Sequence, residues 1–169
     1  MIKLNLSAIA HSSVGTQDSV DLAINHVILG DLELKQLQGT LHFTRVAEGV
    51  MATGELETRA KTECMRCLIP IFEPVTIELE DIISLPGAAL TQERPVRVNE
   101  DGWADLAPLV QEYVWLNMPV SPICAPDCKG ICPECGGNRN LGECTCGEAA
   151  HTDPRWEALR NLMDHSDQA

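Results

Sequence analysis

Eight cysteines are the residues of this chain best equipped for chemistry. They read Cys64-Met65-Arg66-Cys67, then Cys124, Cys128, Cys132 and Cys135, then Cys144-Thr145-Cys146. Two residues between cysteines let a tight turn deliver both thiolates to one metal ion, while amides in the turn donate to the sulfurs. Cys132-Pro133-Glu134-Cys135-Gly136-Gly137 is the strongest instance, because a glycine after the second cysteine permits the left-handed backbone that such a knuckle requires. Eight thiolates suffice for two tetrahedral sites of four, and sulfur-only tetrahedra suit zinc or iron. The preferred partition places Cys132, Cys135, Cys144 and Cys146 on one ion and Cys64, Cys67, Cys124 and Cys128 on the other, with other pairings open.

Three other uses of these thiols compete with zinc. Disulfides belong to oxidising compartments. The opening residues Met1-Ile2-Lys3-Leu4-Asn5-Leu6-Ser7 do not read as a secretory signal, and no stretch approaches the roughly 18 apolar residues that cross a bilayer. The expected setting is therefore the cytoplasm, without a membrane. A redox CxxC needs a helix N-terminus to activate its thiol, and Leu68-Ile69-Pro70 after Cys67 starts a helix poorly. The spacing also lacks the run of an iron–sulfur ferredoxin. Two structural Zn2+ ions are the expectation.

A catalytic zinc keeps an open position and usually enlists histidine or a carboxylate, whereas these cysteines can close both shells. His11, His26, His42, His151 and His165 show no metal-binding spacing, and no phosphate loop, nucleophile elbow or kinase signature is present. Glu78, Glu80 and Asp81 read as the solvated face of a strand. The chain is expected not to be an enzyme.

The formal charge is −13, from 25 acidic and 12 basic residues. Such a field repels the phosphate backbone and draws in basic partners. Four cations, Arg66, Lys129, Arg139 and Arg155, sit beside the cysteine motifs and are the candidate contacts for RNA phosphate or a partner's carboxylates. Arg66 and Arg139 serve equally well to offset the negative charge of thiolate-rich sites.

The elements that position the cysteines follow from periodicity. Ile2, Leu4 and Leu6 alternate with polar residues as in a half-buried strand. Further strands are predicted over 20–29, 32–46 with a break near Gly39, 50–63, 74–85 and 95–99, with turns at 11–19, Gly30-Asp31 and Glu48-Gly49. Such close spacing leaves no room for crossover helices, so the sheet must be antiparallel, a meander or a partly closed barrel. Leu106, Leu109, Val110, Tyr113, Val114 and Asn117 follow helical spacing, with Asp105 as cap and Pro119 as stop. A second helix is predicted to open at Asp153-Pro154 and to carry Trp156, Leu159, Leu162 and Met163 on one side, with a fraying tail from residue 164. Aromatic content is 4%, so burial must come from Leu, Ile and Val. The fold class is α+β, a mainly antiparallel sheet with two helices and a C-terminal cysteine-rich zinc-binding segment. The domain reading is 1–118 strand-rich, 119–150 cysteine module and 151–169 helix and tail.

These landmarks together resemble the YceD-like family, named for large ribosomal RNA subunit accumulation. The likeness rests on Cys64-Met65-Arg66-Cys67-Leu68, Val98-Asn99-Glu100, Ala104-Asp105-Leu106, Val110-Gln111-Glu112 and Pro119-Val120-Ser121-Pro122-Ile123-Cys124. It continues through Cys128-Lys129-Gly130-Ile131-Cys132-Pro133-Glu134-Cys135-Gly136, Asn138-Arg139-Asn140, Cys144-Thr145-Cys146 and Asp153-Pro154-Arg155-Trp156. The resemblance implies a non-catalytic role in synthesis, processing or stability of large-subunit ribosomal RNA. The leading expectation is a factor that engages a basic ribosomal protein or an rRNA-processing factor through its acidic surface. The alternative is a direct RNA-binding zinc protein, with weak contacts and with Trp103, Trp115 or Trp156 for stacking.

Overall fold

Alternation of apolar and polar residues draws this chain into long strands, because each strand can then bury one face and wet the other. The computed structural model describes residues 1–89, 94–142, 144 and 146. Its elements are β1 (Lys3–Asn5), α1 (Ser7–Ala10), β2 (Gln17–Leu29), β3 (Leu32–Val46), β4 (Gly49–Glu63), β5 (Pro70–Ser84), β6 (Trp103–Asp105) and α2 (Ala107–Asn117). Strands β2-β3-β4-β5 form an antiparallel meander, and β1 pairs with β6 in a separate two-stranded sheet. Of the two expected forms the meander is present, with β2 and β5 as its edges. The predicted helix after Asp153 and the tail beyond it lie outside the described residues, as do Arg155, Trp156, His151 and His165.

The core is aliphatic, as the scarcity of rings requires. Phe43 is fully buried in one cluster with Leu34, Leu37, Leu41, Leu56 and Ile77. Helix α2 turns Leu109, Val110 and Val114 inward and lies against β5 and β2. Its Tyr113 hydroxyl donates to the Glu80 carbonyl at 2.8 Å and accepts from the Glu80 amide at 3.3 Å, which fixes the helix to the sheet edge. The N-cap position of α2 is Leu106, one residue after the predicted cap Asp105, whose carboxylate accepts from the amides of Ala107 (3.0 Å) and Ile2 (2.9 Å) and so joins the helix start to residue 2.

Four local expectations are corrected. The break near Gly39 is absent, since β3 runs unbroken to Val46. Gly39 is needed instead for close strand approach, because a Cβ there would stand 2.2 Å from the Glu55 carbonyl oxygen. The irregularity falls earlier, between Lys35 and Gln38, where Gln36 takes φ +54° and Leu37 is turned into the core. Residues 95–99 form no strand, because their ladder is a single isolated parallel bridge between Ser84 and Arg97, on either side of which Val96 and Val98 are buried. Before the predicted turn at 11–19, α1 is one unforeseen turn that buries Ile9 and Ala10, and residues 17–19 of that turn belong instead to β2, where they pair with Thr44, Phe43 and His42.

Strand β5 begins at Pro70, earlier than its alternation announces, because Ile71 and Phe72 still pair with Thr62 and Lys61 of β4. The β4–β5 hairpin thus reaches its full length, and its loop carries Cys64 and Cys67. The solvent face of the sheet is acidic across its middle and carries exposed Lys35, Arg59 and Lys61 toward the hairpin tip. Asp21, Thr40, Glu55 and Glu78 form one row across the four strands, and Glu78 and Glu80 are exposed as expected.

Candidate metal centres

At the hairpin tip Glu63 pairs with Pro70, and the intervening loop closes on itself through Cys64 N donating to Ile69 O and Leu68 N donating to Cys64 O, both 2.9 Å. The segment after α2 meets this tip where Met65 N donates to Pro122 O at 2.9 Å. Cys64, Cys67 and Cys128 are buried there and Cys124 is half-buried. The four sulfurs lie within 4.8 Å of one another, and so do those of Cys132, Cys135, Cys144 and Cys146. The structure therefore brings together both preferred sets of four. The sulfurs of Cys144 and Cys146 converge, as a shared site demands.

The spacing suits an ion. Cys64 and Cys128 sulfurs are 3.9 Å apart, and those of Cys67 and Cys124 3.6 Å. Four sulfurs at about 2.3 Å from a central ion stand about 3.8 Å from each other, against about 2.05 Å in a disulfide. A closed shell of four soft donors leaves no position for substrate, and either cluster can hold a metal ion.

The thiol acidities carry the same message. Burial works against charging Cys64, but amides of Cys124, Cys67 and Arg66 outweigh it and bring the thiol down to about 6. Cys128 is lowered too, against burial, by the Gly130 amide and the Asn140 side chain. The Cys128 sulfur, with burial, pushes Cys124 up to about 12. Cys67 is raised although the Ile69 amide resists, because burial and the Cys64 and Cys128 sulfurs prevail. In the second cluster, amides of Cys135 and Glu134 bring Cys132 down to about 7. The Cys132 sulfur raises Cys144, and the Cys135 sulfur raises Cys146 to about 12. Some thiols in each cluster are ready to ionise and their neighbours are thereby hindered, so all four can ionise together only around a cation.

The two clusters are joined. The Arg66 carbonyl accepts from Ile131 N at 3.0 Å, and its guanidinium donates to the carbonyls of Cys128 (3.2 Å) and Pro126 (3.4 Å). Arg66 thus straps the hairpin to the cysteine segment. Lys129 is exposed while its amide donates to Asn140 Oδ1 at 2.8 Å, and exposed Arg139 donates its amide to Gly130 O at 3.0 Å. Asn140 escaped assignment from sequence. It sits between the cysteine pairs of the second cluster, yet its Nδ2 donates to Cys128 Sγ of the first at 3.4 Å and to Asn138 Oδ1 at 2.9 Å. The only signal available was its place in Asn138-Arg139-Asn140, where the cation drew the attention. Trp103 and Trp115 are exposed, on β6 and α2.

The knuckles share one design. Gly136 N donates to Cys132 O at 2.9 Å, matching Leu68 N to Cys64 O, and φ is +71° at Gly136 and +61° at Leu68. Leucine therefore occupies a position where glycine is the relaxed choice.

Residues 52–163 match the family described as large ribosomal RNA subunit accumulation protein YceD. An uncharacterized protein of Mycobacterium tuberculosis is 33% identical over 149 residues, which covers 84% of this chain and 66% of that protein. One of Mycobacterium leprae is 29% identical over 130 residues, or 73% of this chain and 57% of that one. The Arabidopsis thaliana large ribosomal RNA subunit accumulation protein YCED homolog 1, chloroplastic, is 33% identical over 64 residues, 38% of this chain and 20% of its own length. The chain thus spans 66% and 57% of the lengths of these two mycobacterial proteins. No solved structure matches it. Among the described residues, no helix is long and apolar enough to cross a membrane.

Proposed function

We propose that this chain, which belongs to the YceD family of large ribosomal RNA subunit accumulation proteins, is a non-catalytic cytoplasmic factor that supports that accumulation by binding a basic protein partner. Two structural Zn2+ ions hold its docking end in shape. The observation that carries this reading is the pair of four-cysteine clusters, each with a complete thiolate shell. Such a shell rigidifies a surface and offers no open coordination position for a reacting group. Zinc is the ion favoured by four tetrahedral thiolates without redox demand. The partner's basicity is supported by the formal charge of −13 and by the carboxylate row over β2 to β5.

The test is a deletion strain in which the ratio of large- to small-subunit RNA is measured. The expected result is a fall that the wild-type chain restores and that the double variant Cys64→Ser, Cys124→Ser does not. Full restoration by that variant would remove the first metal centre from the function.

A further inference from the structure

Leu68 holds a backbone conformation that its side chain resists, at the position where the second knuckle uses Gly136. Strain kept at such a place points to a use for the side chain. Burial in the core is not that use, because Leu68 is 56% exposed. Met65, two residues into the same knuckle, is 63% exposed. Ile131, whose amide is bonded to the Arg66 carbonyl, is 41% exposed beside them. Three aliphatic side chains therefore face solvent on a tip pinned by the first cluster. Methionine adapts to irregular partner surfaces. No aromatic ring occurs in residues 64–69 or 124–142, so the tip offers nucleobases no aromatic platform.

The charge around the tip selects the partner. The chain carries −13, and four thiolates around a divalent ion leave about −2 at each loaded site. Of the cations at this end, Arg66 directs its guanidinium to the carbonyls of Pro126 and Cys128, Lys61 pairs with Glu33 at 2.7 Å, Arg59 lies back on β4 and Lys129 and Arg139 share their segment with Asp127 and Glu134. We propose that Met65, Leu68 and Ile131 are the contact face for a lysine- and arginine-rich amphipathic segment of the partner protein. The inference rests on the protein-partner reading above and on loaded clusters. The acidic sheet speeds encounter, and the aliphatic tip, once covered, sets how long the partner stays.

The test uses the full zinc-loaded chain and a labelled helical peptide of about five turns, leucine on one face and lysine on the other. Binding is followed by stopped-flow anisotropy in about 0.15 M salt, where distant charges are screened. Leu68→Asn and Leu68→Gly preserve net charge and suit a positive φ, so they should weaken binding about tenfold through faster release while both ions stay bound. A peptide with glutamate in place of lysine should not bind. Unchanged release rates in both variants would overturn the proposal. So would tighter binding of a single-stranded RNA that weakens with Lys129→Gln and not with Leu68→Asn. An intact effect of gene deletion on ribosomal RNA, alongside unchanged peptide release, would reject this face and leave the function. Normal RNA levels with the expected peptide result would reject the function and leave the face.

Discussion

The two cysteine clusters are built from the same donors and do opposite jobs in the fold. The first joins residues 57 and 64 positions apart, Cys67 with Cys124 and Cys64 with Cys128, and three of its four cysteines are buried. The second gathers Cys132, Cys135, Cys144 and Cys146 from one short segment, with Cys135 and Cys146 exposed. An ion in the first cross-links the sheet to everything after α2. An ion in the second orders only the segment that holds it. A distant cross-link removes far more freedom from the unfolded chain than a local one, so equal chemistry should yield unequal consequences.

The largest effect should come from Cys64→Ser with Cys128→Ser. One ion per chain should be lost, and the thermal midpoint should fall by about 10 °C in calorimetry, the scale for a bond closing so long a loop. The matching change in the second cluster, Cys132→Ser with Cys135→Ser, should also remove one ion but move that midpoint by less than about 4 °C. Limited proteolysis should then cut between residues 129 and 142 while β2 to β5 stay intact. Equal midpoint shifts in the two double variants would break the contrast.

The contrast itself was legible in the sequence, since spacing alone separates a pair at 64 and 67 from six cysteines between 124 and 146. The four long strands were legible as well, because each holds a stretch of alternation that buries one face, such as Val50, Ala52 and Leu56 in β4 or Val75, Ile77 and Leu79 in β5. What escaped notice depends on contacts between distant segments. The bulge at Gln36 is settled by which β4 residue it faces, and Val96 and Val98 are placed by Ser84 and not by a ladder of their own. α1 is a single turn, too short to show a period. The positive φ of Leu68 is hidden because leucine gives no hint of it. Asn140 lies in sequence between the cysteine pairs of the second cluster, whereas its amide donates to a sulfur of the first.

That hydrogen bond sharpens the comparison further. Asn140→Ala should weaken retention of the first ion by about tenfold to a hundredfold in chelator competition, as loss of a group steadying a metal-bound thiolate does. If Asn140 only shapes its own loop, the second ion should loosen instead and the first should not respond. The smallest effect is expected at Leu68. Leu68→Gly relieves the left-handed strain but adds freedom to the unfolded chain, so stability should stay within about 1 kcal/mol of wild type in urea titrations, with both ions bound.

The most direct measurement is native mass spectrometry of the chain purified reduced and supplied with zinc, read together with the two double serine variants. The account predicts two ions in the wild type and one in each variant, with all eight thiols free of bridges after the metal is removed. A chain that carries no ion, or one whose cysteines emerge from the cell joined in disulfides, would contradict it.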